Sequence, residues 1–106
     1  MAVEQAVDRK AFDRFVREVK ERYQPEKVLL FGSRARGQES AQSDFDLLVV
    51  SGKFEGTPLT DRATSIHKMW PFFAGLDCLC LTPEEFERSR HRISIVREIE
   101  REGVAL

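Results

Sequence analysis

The chain has 106 residues, enough for one domain with a single layered core and too few for a catalytic domain plus a separate substrate domain. Seventeen Lys plus Arg nearly balance eighteen Asp plus Glu, so no net field draws the chain to nucleic acid or to an anionic membrane. No apolar run approaches the roughly 20 residues that span a bilayer, and the early charges of MAVEQAVDRKAF do not fit a signal peptide.

Residues 4–23 carry Phe12, Phe15, Val16, Val19 and Tyr23 on one apolar stripe, which predicts an amphipathic helix stopped by Pro25. Val28–Phe31 is a short continuous apolar run and predicts a buried strand. GSRARGQESAQSD follows, polar throughout, with Gly32 and Gly37 as turn points. A second strand resumes through Leu47–Val50 and ends at Ser51-Gly52; residues 53–57 read as a loop. Thr57-Pro58 predicts a helix start with Pro in the first helical position, and Leu59, Ala63, Ile66 and Trp70 continue at helical spacing until Pro71. Gly75–Leu81 predicts a third strand. Its cysteines, Cys78 and Cys80, stand two apart, where a bridge would be strained. They read as buried thiols of a reducing compartment, the cytoplasm. Thr82-Pro83-Glu84-Glu85-Phe86 is the clearest helix start: Thr82 caps, Glu85 completes a capping box, and Leu81 staples to Phe86. A last helix near 91–102 turns Ile93, Val96 and Ile99 inward and stops at Gly103. The expected fold class is α+β, a small sheet flanked by helices, formed by residues 1–106 as one domain.

The second strand carries the chemistry. Side chains alternate along a strand, so Asp44 and Asp46 share a face, with Phe45 and Leu47 opposite. Carboxylates side by side raise each other's proton affinity and are unfavourable without a positive charge between them. Mg²⁺ suits such oxygen ligands, with phosphates completing its shell. If the third strand neighbours the second, Asp77 completes a trio, and three anions suit a two-metal site for in-line phosphoryl displacement. Asp44 and Asp46 would then bridge the metals, while Asp77 holds the catalytic one and helps deprotonate the acceptor hydroxyl. At the Gly32-Ser33 corner, Gly32 permits close backbone approach to a triphosphate and the Ser33 hydroxyl can donate to a phosphate oxygen.

LLFGSRARGQESAQSDFDLLVV resembles the signature of the DNA polymerase β-like nucleotidyltransferases: Gly32-Ser33, ten residues, then Asp44-Phe45-Asp46 between apolar strands. Within that superfamily the chain is similar to the minimal, MNT-type members over nearly its whole length, including LDCLCLTPEEFER and ISIVREIEREGVAL. The resemblance implies the nucleotidyltransferase fold with a mixed sheet, ATP and Mg²⁺ as ligands, and metal-binding carboxylates at Asp44, Asp46 and Asp77. It also implies an antitoxin that transfers AMP from ATP to a tyrosine of a HEPN-domain ribonuclease toxin, its acceptor and hetero-oligomer partner. Two rival functions stand beside this one. The chain could neutralise its partner by occlusion without chemistry, or transfer a nucleotide to a small molecule.

Blander readings apply elsewhere. Arg34 and Arg36 suit a γ-phosphate or a surface ion pair equally. Two cysteines fall short of the four ligands of a structural zinc site, and His67 and His91 are not spaced to join them. Arg and Glu interleave along residues 84–102 as on a solvated helix, a weak signal for RNA. Trp70, Phe72 and Phe73 read as core packing, with a partner-facing edge as the alternative.

Overall fold

The computed structural model describes residues 8–32, 44–92 and 94–106. Helix α1 (Arg9–Tyr23) is capped by Asp8, whose carboxylate accepts from the Ala11 N–H at 3.3 Å. It ends where Gln24 turns left-handed at φ 46°, ahead of Pro25. Residues 4–7 of the expected helix lie outside the described residues. The predicted stripe is the buried one: Phe12, Phe15, Val16 and Val19.

Strands β1 (Lys27–Phe31) and β2 (Phe45–Val50) pair antiparallel, Lys27 opposite Val50 and Phe31 opposite Asp46. After β2 the expected loop contains a short 3-10 turn, Gly52–Phe54, capped by the buried Ser51, which also donates to the Tyr23 carbonyl. Helix α2 (Leu59–Met69) then carries the chain across to β3 (Leu76–Leu81), which pairs parallel with β2. Helices α3 (Pro83–Arg92) and α4 (Ser94–Glu102) follow, and β4 (Val104–Ala105) closes antiparallel on β1. The sheet order is β3-β2-β1-β4.

Period-two alternation divides the core between the two faces of this sheet. Val28, Leu30, Phe45, Leu47, Val49, Leu76 and Cys80 pack against α1 and α2 through Phe12, Phe15, Val19 and Ile66. Leu29, Leu48, Val50 and Leu81 pack against Phe86, Val96 and Ile99 of α3 and α4. β2 is buried on both faces, which is why its sequence reads as an unbroken apolar run once past Asp46. Cys78 and Cys80 are free thiols with sulfurs 3.5 Å apart; Cys80 is buried as expected, while Cys78 is only half-buried.

The capping box forms as expected. The Thr82 N–H donates to Glu85 Oε1 at 2.8 Å, and the Glu85 N–H donates to Thr82 Oγ1 at 3.1 Å. Four expectations need correction. Pro58 stands at the N-cap of α2 rather than inside it, without a side-chain cap. Leu59 is 57% exposed; the inward place one turn later belongs to Arg62, which is buried. The two helices after Thr82 form as expected, but the last one begins at Ser94 rather than near residue 91, because α3 runs on to Arg92; Ile93, expected inward, lies outside the described residues. Finally, Phe73 is fully exposed, while Trp70 and Phe72 do pack on the core. Among the described residues no helix is long and apolar enough to cross a membrane.

Candidate active site

Register decides whether the three carboxylates meet. In the antiparallel pair Phe31 lies opposite Asp46, and in the parallel pair Asp46 lies opposite Asp77. Partners in register project to one face, so Asp46 and Asp77 stand abreast on the α3/α4 side, above Leu48 and Leu79 in the same rows. Asp44 precedes β2 and is tied into the same corner, because the Phe45 N–H donates to the Gly75 carbonyl at 2.8 Å. Asp44 and Asp77 are exposed, and Asp46 between them is half-buried. The expectation that the third strand neighbours the second therefore holds, and the two Asp side chains that needed it are adjacent.

The glycines on either side explain how the corner accommodates them. Gly32 follows β1 at φ 77°, and a Cβ there would overlap the Asp46 carboxylate at Oδ2. A Cβ on Gly75 would likewise overlap Asp44 Oδ1. The sequence marks Gly32 as a turn point but carries no sign of its packing on Asp46. Gly75 offered no signal beyond its place at a strand start. Ser33, Arg34, Arg36 and Ser43 lie outside the described residues.

Among the described residues the electrostatics are those of like charges set together. Burial raises the proton affinity of Asp46 above the ordinary carboxylate value, the neighbouring Asp77 and Asp44 charges raise it further, and a hydrogen bond shared with Asp77 adds to this. A cation placed here would be favoured by all three carboxylates, and hard oxygen donors of this kind suit Mg²⁺. Among the described residues, however, no three Asp, Glu, His or Cys side chains converge as a finished metal-holding group. The carboxylates offer the donor chemistry of a hard-cation site, but they stand side by side rather than around a common point.

Residues 12–104 match the family model of the nucleotidyltransferase domain. Among solved structures, the chain is similar to a Sulfolobus solfataricus protein provisionally assigned as a nucleotidyltransferase. Identity is 26% and the TM-score 0.62, over 91% of this chain and 76% of that one. The BolA domain of SufE1 from Arabidopsis thaliana (19% identity, TM-score 0.56, 76% of this chain and 99% of that one) shares the fold alone. The same holds for BolA1 from that plant (18%, 0.58, 74% and 98%). No curated protein matches the chain.

Proposed function

This chain belongs to the nucleotidyltransferase domain family, and from that premise we propose that it is a Mg²⁺-dependent protein adenylyltransferase, the antitoxin of a HEPN-type ribonuclease toxin whose tyrosine it modifies with AMP from ATP. The observation that carries the chemical half of this reading is the register that sets Asp46 beside Asp77, with Gly32 packed on Asp46 and the Asp44 charge near enough to raise its proton affinity. The choice of a tyrosine on a toxin as acceptor rests on the similarity of the Gly32–Asp46 signature and of residues 76–88 to the MNT-type members.

In the reaction the acceptor oxygen forms a bond to the α-phosphorus of ATP while the bond from that phosphorus to the pyrophosphate oxygen breaks. Asp44, Asp46 and Asp77 are the residues that would hold Mg²⁺, which would supply charge neutralisation at the phosphate oxygens. Gly32 and Ser33 position the triphosphate through their backbone N–H groups, and the Ser33 hydroxyl donates to a phosphate oxygen. Asp77, exposed on the outer side of Asp46, takes the proton that the acceptor hydroxyl loses. Phosphoryl transfer depends mainly on positioning and charge neutralisation, so this small set of groups suffices.

The test is to incubate the chain with α-labelled ATP, Mg²⁺ and a HEPN-type ribonuclease encoded beside it. Label is expected on a ribonuclease tyrosine, with loss of ribonuclease activity. An Asp44→Ala, Asp46→Ala double substitution should abolish both. Neutralisation that survives this substitution undiminished would mean that the chain acts by occlusion.

A further inference from the structure

We infer that Phe73 is an acceptor-binding residue of the transfer reaction, an aromatic contact held ready on the β3 flank of the carboxylates to seat the protein that bears the accepting hydroxyl. The inference rests on the adenylyl-transfer reading above and names the part of this chain that grips the second substrate.

The position of Phe73 follows from its neighbours. Phe72 turns inward, its ring 4.8 Å from that of Trp70 in an edge-on contact. On the other side, the Trp70 indole N–H donates to the Ala74 carbonyl at 2.7 Å, closing the loop. Gly75 then accepts from the Phe45 N–H and lies against Asp44. Phe73 is therefore fixed between two anchored points yet has a relative exposure of 110%, more than any other large apolar side chain among the described residues. Two residues span at most about 7 Å, so its Cα is within that reach of the glycine that touches Asp44.

Strand order then distinguishes the two substrates. In-line displacement puts the incoming oxygen and the departing pyrophosphate on opposite sides of the phosphorus. Across the sheet the row runs from Gly32 at the end of β1, through Asp46 in β2, to Asp77 in β3. Pyrophosphate held on the Gly32 side leaves towards β1, so the acceptor arrives over β3, and Phe73 stands three residues before the first residue of that strand. An exposed aromatic with two side-chain torsions, on a braced loop, loses little conformational freedom when it enters an apolar pocket.

Steady-state transfer onto the HEPN-type ribonuclease, at varied ribonuclease concentration, tests this. Phe73→Ala should raise the KM for that acceptor about tenfold or more. The rate at saturating acceptor should hold, as should Mg²⁺·ATP affinity by calorimetry and the melting temperature. Phe73→Trp should recover most of the loss. An unchanged acceptor KM overturns the inference, and so does a fall in Mg²⁺·ATP affinity, which would assign the ring to the nucleobase. A wild-type chain that labels no ribonuclease overturns the reading of the acceptor, and with it this inference, before any variant is made.

Discussion

The two ends of the sheet treat charge in opposite ways. Where β2 and β3 begin, Asp44, Asp46 and Asp77 gather like charges, and the proton affinity of Asp46 rises. Where β3 ends, Arg62 is buried but fully answered. Its Nη2 donates to Glu85 Oε2 at 3.2 Å while Nη1 meets Oε1, and Nε and Nη1 donate to the Thr57 and Cys80 carbonyls at 2.8 and 3.2 Å. Glu85 is correspondingly pulled down to about 2, chiefly by Arg62 and then by the Thr82 N–H. A charge matched within the chain belongs to the fold. Like charges gathered with no cation beside them among the described residues are a mark of function.

The sharpest way to break this contrast is Asp46→Asn, which keeps the shape and removes the charge. Nucleotidyl transfer should fall by at least about 10³-fold, roughly 4 kcal/mol of transition-state stabilisation, when followed by pyrophosphate release. At neutral pH the same variant should be slightly more stable than the wild type, by about 0.5 kcal/mol or some 2–4 °C in melting temperature. A destabilised Asp46→Asn protein would mean that the carboxylate is structural after all.

Glu85→Ala should act in the opposite sense. It leaves the Arg62 guanidinium buried with only carbonyl partners and removes half of the capping box. A loss of about 3 kcal/mol is expected, visible as a lower urea midpoint. Pyrophosphate release by the remaining folded protein should be unchanged, since the ion pair is at the far end of β3. Thr82→Ala removes the cap alone and should cost about 1 kcal/mol, measured in the same way.

Acid separates the two ends by sign. Asp46 has a folded-state pKa above 3.8, so its ionised form weakens the fold; that penalty is complete above the folded value and vanishes as pH falls towards 3.8. Glu85 contributes stability that is fully present above 4.5 and is lost as pH falls towards about 2. Acidification should therefore raise wild-type stability relative to Asp46→Asn and lower it relative to Glu85→Gln. Denaturant unfolding at a series of pH values checks both, and gaps that move in the same direction would erase the contrast.

What could be read from the chain beforehand was what local chemistry dictates. The box at Thr82 and Glu85 needs only neighbours three residues apart, and it formed. The stripe on α1 and the apolar runs of β1 and β2 were equally plain. Asp77 required one further premise, that β3 lies beside β2, which no pattern within either strand could supply. Arg62 defeated the spacing argument because an inward arginine is tolerable only with distant partners, here Glu85 and two carbonyls. β4 is two residues long, too short to show any alternation. Gly75 and Phe73 belong to a connection whose shape comes from Trp70 and Phe45, not from its own composition.

The parallel pairing of β2 with β3 has a kinetic corollary. Asp46 and Asp77 are 31 positions apart along the chain, and a parallel ladder cannot be zipped from a hairpin. It forms only after the intervening crossover has been laid down, so this centre is among the high-contact-order features that mature slowly. Nucleotide capture during refolding should therefore lag behind the recovery of helical signal, and its onset would time the docking of β3 on β2.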